Sequence, residues 1–404
     1  MADVIITPNM VAEAIAIDLS AQLVAMGLIN TQYTKEFKKI GQSVDILEPV
    51  KMKAVSGAVI ASIPDTVEKK QTLTIDQRFN TSWDHSTQDL TMSMKNYRER
   101  YAKPASIALA HQVNQTVLGL YTDIYNVIGT PGTTPSTLGI IGDVQQLLNE
   151  ENVPHEDRCF VMGPAMNNKL TTGDLKSYFN QSLAEGLVRK GRVGELLQMD
   201  FFMDQQVNSH LTGSCTYAGI TINDGSIAEG DTSMTVAGAG VSKTLKKGDV
   251  FTIAGVNAIN TRSYVSTGAL RNYTLTADAT SDGAGAAVLN FSPEFRSAAD
   301  TSGNAPYATI DALPVTTAAL VFKTGGADET HPQNLAFHKD AFIMGVVPLE
   351  VPVGARFGAR QKFQDISVRI IADHDFMSDQ QRVRADIQFG VKTLRPELAC
   401  RLIG

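Results

Sequence analysis

The chain has 404 residues, of which 43% are hydrophobic and 19% charged; that is long enough for two or three domains with separate cores and too apolar for a disordered polymer. Its formal net charge of −7 argues against a protein that grips nucleic acid tightly through the phosphates. No apolar run reaches the roughly twenty residues a membrane-crossing helix needs, no secretion signal is read at the N-terminus, and Cys159, Cys215 and Cys400 are too widely spaced for a disulfide framework or a zinc knuckle. Free thiols in a reducing cytosol are the expectation for all three.

Thr7-Pro8 reads as a helix start, a capping hydroxyl followed by proline at the first helical position. Val11, Ile15, Leu19 and Met26 fall near one face of that helix, and Gly27 stops it. From Ser43 to Met94 the pattern turns β-rich: Val44, Ile46 and Leu47, then Val55, Val59 and Ile63, then Thr72, Thr74 and Ile75. Pro64-Asp65 is the turn between two arms of a long hairpin, which needs a partner surface because an isolated two-stranded hairpin is marginal in water.

Lys103-Pro104 opens a second helix. Ile107, Ala110, Val117, Tyr121 and Ile124 recur at three- and four-residue steps, with Asn114 the polar exception. The spacing predicts a helix from Pro104 to Ile128, roughly 35 Å long at 1.5 Å per residue, ended by Gly129-Thr130-Pro131-Gly132. Val144, Leu147 and Leu148 then read as a helix, Cys159 to Met162 as a buried strand, Asn167 to Leu170 as a short helix, and Met199 to Phe202 as a strand preceded by the Gly191–Gly194 turn.

Between Gly213 and Thr330 Ala, Gly, Ser and Thr dominate. Short β segments recur at Ala218–Ile222, Met234–Ala237, Val250–Ile253, Tyr273–Thr276, Val288–Phe291 and Ala319–Phe322, separated by turns such as Asn223-Asp224-Gly225 and Ser281-Asp282-Gly283. Strands at this spacing imply a small barrel or sandwich. After it, Ala341–Val347 and Ile366–Ala372 read as strands, and Asp386–Val391 as the strand that closes the chain.

Chemistry-bearing patterns are thin. Gly238 to Thr244 is superficially like a phosphate loop, but Ser242 stands where a glycine is needed, and the following Leu245 to Asp249 reads as a turn into a strand rather than a helix. Asp373-His374-Asp375 and Asp84-His85 lack a second histidine at ligand spacing, and adjacent strand residues point to opposite faces. No nucleophile elbow is present. The basic runs Lys243, Lys246, Lys247 and Arg98, Arg100, Lys103 read either as solvated turns or as contacts to acids on a neighbour. No catalytic residue, cofactor or metal is expected.

Two segments carry a family resemblance. Asn334-Leu335-Ala336-Phe337-His338-Lys339-Asp340-Ala341-Phe342 resembles the N-L-A-F-H-x-D-A-F segment of tailed-bacteriophage major capsid proteins, and Phe389-Gly390-Val391 with Arg395-Pro396-Glu397 resembles their closing strand. Lys247 to Val256 is similar to a strand pair in the insertion domain of P22-like podovirus coat proteins. The resemblance implies an α+β, Hong Kong 97-like capsid fold: an N-terminal helical arm over 1–32, an extended β-hairpin loop with flanking strands over 33–95, and a spine helix over 96–132. The first part of an axial domain would span 133–212, an inserted β-barrel 213–330, and the return strands 331–404.

By the same resemblance, hexamers and pentamers of this chain build an icosahedral shell around double-stranded DNA without sequence-specific binding and without a membrane. A scaffolding protein guides assembly, a portal protein replaces one pentamer, and a decoration protein is a further partner. Val11, Ile15 and Leu19 on the arm, Pro64 and Asp65 at the hairpin turn, and Lys246 and Lys247 in the barrel are the candidate assembly-interface residues. An encapsulin-like nanocompartment shell is the first alternative, and such shells often lack the inserted domain. A β-rich virion decoration or binding module is the second, which leaves the spine helix and the final Arg395-Pro396-Glu397 strand unexplained.

Overall fold

The computed structural model describes residues 8–35, 43–52, 67–86, 98–172, 194–300, 305–355, 357–363 and 366–404. Val55, Val59, Ile63, the Pro64-Asp65 turn and Gly191 to Val193 lie outside the described residues. The chain is a mixed α+β protein that divides into two compact units.

The first unit takes Met1–Ile46, Gln71–Val117 and Phe342–Lys392. Its sheet orders the strands Phe342–Val346, Gln380–Thr393, Ile366–Asp375 and Phe357–Phe363, and Gln77–Ser86 pairs antiparallel with Gln380–Thr393. The helix Pro8–Gln22 packs on Phe357–Phe363 and Ile366–Asp375. Ala12, Ile15, Ala16 and Leu19 are all fully buried, the i, i+3, i+4, i+7 stripe that an amphipathic helix turns inward. Leu23 is extended, and a second short helix, Val24–Gly27, follows it, so the one predicted helix is two.

A π turn, Arg98–Ala102, leads into the helix Lys103–Leu118. This helix is shorter than the spacing predicts. At Gly119 it tightens into a 3-10 turn, Gly119–Asp123, and Ile124 is already extended with φ −90 and ψ 125. Val127–Gly129 then pairs in parallel with Arg401–Ile403. Glycine is a poor helix former, and the β-branched Ile124, Val127 and Ile128 are drawn into a sheet, so tertiary pairing overrides the helical period.

The second unit takes Leu47–Lys70, Leu118–Ala341 and Thr393–Gly404. One sheet orders Val127–Gly129, Ala399–Ile403, Thr330–His338, Arg158–Met162, Met199–Met203 and Glu195–Leu196. Its strands Arg158–Met162 and Ala399–Ile403 are buried throughout, on both faces. Ile141, Val144 and Leu148 form the buried stripe of the helix Leu138–Glu150, and a shorter helix, Pro164–Thr172, follows the strand Arg158–Met162.

A further strand, Ala399–Ile403, closes the chain, which corrects the expectation that Asp386–Val391 does so. That expected strand is itself part of the longer Gln380–Thr393, and Arg395-Pro396-Glu397 sits at a 3-10 turn, Pro396–Leu398, between the two.

The segment from Thr221 to Phe322 forms a second sheet in this unit, in the order Leu320–Phe322, Val250–Ile259, Ser266–Leu275, Ala287–Ser292, Ser233–Ala237 and Thr221–Ile222. Its neighbouring strands pair antiparallel throughout. A bridge between Thr221 and Ala319, with Ile222 N–H donating to Ala318 O at 3.0 Å, brings the two edges together into a nearly closed barrel. Closure removes the exposed edges that an open sheet leaves. Phe251, Tyr273, Phe291 and Phe295 fill the interior with ring centroids 4.5–5.6 Å apart along the Phe251–Tyr273–Phe295–Phe291 path. Each such burial contributes about 1.5–3 kcal/mol. The chain enters and leaves this sheet through one antiparallel stem, Ser209–Leu211 on Thr330–Pro332, and Asp328 N–H bonds Gly213 O at 3.0 Å.

Candidate assembly surfaces

The family-like segments can be read as structural joints. In the first of them, Asn334 uses both ends of its amide: Oδ1 accepts from Gly163 N–H at 2.8 Å and Nδ2 donates to Leu402 O at 3.2 Å. Its strand therefore clamps the loop after one neighbouring strand and the backbone of the other. His338 Nδ1 accepts from Asp340 N–H at 3.2 Å, and the pKa of its ring is lowered, chiefly by burial. Glu397, in the closing segment, pairs with Arg395 at 3.2 Å and Lys51 at 3.7 Å.

The Lys247 to Val256 segment ties the barrel to the rest of its unit. Asp249 is fully buried and accepts from Tyr217 Oη–H at 2.7 Å and from Lys246 N–H at 2.8 Å, with His210 Nε2 at 2.8 Å. His210 Nδ1 lies 3.1 Å from Tyr121 Oη. Gly248 has φ +95, and an added Cβ would press on Thr122 and His210. Its carbonyl accepts from Arg401 Nη1 at 2.8 Å, and Arg401 Nη2 reaches Thr274 Oγ1 at 3.3 Å. Burial lowers the Arg401 pKa to about 10, opposed by Tyr121 and Asp249. Each polar group in this joint that is left without its partner costs about 1–3 kcal/mol.

Val67 and Lys69 are held in the same unit. Tyr307 Oη donates to Val67 O at 2.9 Å, Lys69 Nζ lies 2.6 Å from Glu294 Oε1 and 4.6 Å from the Tyr307 ring centroid. In the first unit the sheet carries a buried carboxylate. Asp386 pairs with Arg369 and, at 2.6 Å, with Arg384 Nε. Burial raises its pKa, but the hydrogen bonds from Arg369 and Arg384 outweigh it and the carboxyl lies below the ordinary range.

The candidate interface residues fall in different environments. Ile15 and Leu19 are buried under strands of their own chain. Lys246 Nζ pairs with Asp278 at 2.9 Å and Lys247 Nζ with Asp123 at 2.9 Å. The side chain of Val11, together with Pro64 and Asp65, lies outside the described residues. Open apolar surface appears where the sequence reading placed no interface. Phe376 and Met377 are each 83% exposed at the turn between Ile366–Asp375 and Gln380–Thr393. Asp375 stiffens that turn through Met377 N–H at 3.0 Å, Ser378 Oγ at 2.9 Å and Arg382 Nη2 at 3.1 Å.

The chemical patterns lie in turns and strands: Asp84 and His85 sit within Gln77–Ser86, paired with Arg382 and Gln381. Ser242 sits at φ 52 with its N–H on Asp282 O, and Ser214 N–H donates to Thr244 Oγ1 at 3.1 Å. Asp373 to Asp375 end a strand beside the exposed turn. Among the described residues no three His, Cys, Asp or Glu side chains group to hold a metal ion, and no helix is long and apolar enough to cross a membrane. Burial pushes the Cys400 thiol up to about 12 and raises Cys159 as well.

The family described as P22 coat protein - gene protein 5 matches residues 34–404. The chain belongs to the P22 coat protein family. No curated protein matches it. Among solved structures it is similar to one from Mycobacterium phage Che8, at 16% identity over 94% of this chain and 90% of that one, with a TM-score of 0.51. It is also similar to the capsid of the Cyanophage P-SCSP1u, at 11% identity over 93% of this chain and 86% of that one, with a TM-score of 0.46. The Che8 likeness concerns the fold. The coat protein is a shell-forming subunit of a phage virion, which fits the family-like segments serving as structural joints.

Proposed function

We propose that this coat protein closes an icosahedral shell of hexamers and pentamers around the double-stranded DNA of a tailed phage, and that assembly takes place in the host bacterial cytoplasm. The family match over residues 34–404 carries the reading. In it, the first unit serves as arm and peripheral domain of a Hong Kong 97-like subunit with the long helix as its spine, and the seven-stranded sheet of the second unit as axial domain. The Thr221–Phe322 barrel is the inserted domain, and the two-strand stem at Ser209–Leu211 and Thr330–Pro332 supports this, because an insertion must enter and leave side by side. The protein acts by assembly and not by catalysis.

Many weak, repeated contacts suit a shell, because a misplaced subunit can leave before closure. The exposed Phe376-Met377 turn is one such contact, since large apolar side chains on a stiffened turn lose little entropy on docking. Val11, Pro64, Asp65 and the half-exposed Lys246 and Lys247 are kept as contacts to neighbours, whereas the buried Ile15 and Leu19 shape the subunit that offers them. Scaffolding protein guides curvature, and a portal replaces one pentamer. Expressing the chain alone and with the product of the adjacent phage gene tests this. Uniform closed shells only in the co-expression, with open sheets or spirals otherwise, support a scaffold; discrete monomers in both overturn the shell reading.

A further inference from the structure

The barrel hairpin Val250–Ile259 with Ser266–Leu275 changes character at one residue. Ser266 to Leu270 are exposed, and Arg271 to Leu275 are buried. The pairing register shifts on the opposite strand between Thr252 and Asn257 and again before Ile259. Arg271, 2% exposed, pairs through Nη1 with Glu151 Oε1, just beyond the helix Leu138–Glu150, and stacks its guanidinium 4.6 Å from the Tyr125 ring centroid. Glu151 is 8% exposed. The pair is incomplete: Glu151 Oε2, Arg271 Nε and Arg271 Nη2 are buried without a partner. A cavity of about 30 Å³ adjoins them, lined by Glu151, Arg271, Asn272, Asn126, Thr267 and Ala258 among others.

We propose that one ordered water molecule occupies this cavity and completes the Glu151–Arg271 pair, fastening the root of the projecting hairpin. The occupant must accept from the guanidinium and donate to the carboxylate at once. An anion would satisfy Arg271 and repel Glu151, and a cation would do the reverse. A space of this size holds about one water, and a water with two to four polar partners is a stable part of a fold. A buried ion pair is favourable only when its remaining donors and acceptors are met, and the water meets them.

The test is a crystal structure of the protein at a resolution that places solvent, from matched crystals grown in chloride and in bromide. The expected result is a peak within hydrogen-bond distance of Glu151 Oε2 and Arg271 Nη2 or Nε in both crystals, with no anomalous signal in bromide. An anomalous bromide peak there, or an empty cavity beside two ordered side chains, overturns the proposal. A Glu151→Met, Arg271→Met double variant should lose the peak; a peak that persists shows other groups hold it and overturns the proposal too.

Discussion

Gly390 stands where the carbonyl oxygen of Thr74 crosses the sheet, and a Cβ at position 390 would overlap that oxygen. The constraint is space alone, because the clash is with backbone and no flexible side chain can yield. The glycine of the Phe389-Gly390-Val391 segment is therefore a packing requirement of the fold.

Gly390→Ala should destabilise the subunit by about 2–3 kcal/mol, the range for overpacking a site that cannot relax. Urea unfolding of the variant checks it. A midpoint equal to the parent's would show that the backbones at Thr74 and Gly390 can separate without loss.

Asp249 is the hub of the barrel joint. Asp249→Ala leaves the Tyr217 hydroxyl, the Lys246 N–H and the His210 ring facing a lost acceptor, and should cost about 3–5 kcal/mol, as breaking a buried charged network does. Arg401→Met removes the donor to Gly248 O from the other side. If the joint acts as one network, the double variant should cost clearly less than the two single losses added, by 0.5 kcal/mol or more. Simple additivity in a double-mutant cycle would show two independent contacts.

Asp386 makes the first unit acid-sensitive. Its folded pKa lies below the ordinary 3.8 because Arg369 and Arg384 outweigh its burial, so its contribution is present above that value and is lost as pH falls through the lower, folded one. Stability should therefore fall below about pH 4, and Asp386→Asn should be less stable at neutral pH with a flatter acid limb. Urea midpoints across the acid range check the slope. An Asn variant with the parent's acid limb would place the acid sensitivity elsewhere.

Phe376→Ser with Met377→Ser should leave the subunit folded, since both side chains are exposed, while lowering the yield of closed shells. Circular dichroism and electron microscopy on the same preparation separate the two effects. Normal shells from the double variant would show that this turn faces no neighbour.

Much of the architecture was legible because short β segments announce themselves. All six barrel strands were marked by apolar, β-branched or aromatic runs between turn residues, and all six appear. The long helix was over-extended because Tyr121 and Ile124 continue its period, although Gly119 tightens the chain and Ile124 is already extended. The last strand carries no clear sequence signal, because Arg401 interrupts its apolar run. Only the structure shows that this arginine is buried and bonded to Gly248 and Thr274. The surfaces were harder still. Periodicity marks Ile15 and Leu19 as a face but does not say whose surface covers it, and here it is the chain's own sheet. Phe376 and Met377 give no periodic signal, because a turn has none.

Shell closure by copies of this chain can be seen outright by cryo-electron microscopy of particles purified from cells that express the coat protein with the product of the adjacent phage gene. The expected result is an icosahedral reconstruction whose pentamers and hexamers are built from a subunit with this fold, with the Phe376-Met377 turn against an adjacent copy. Particles without such symmetry, or only dispersed monomers, would contradict it.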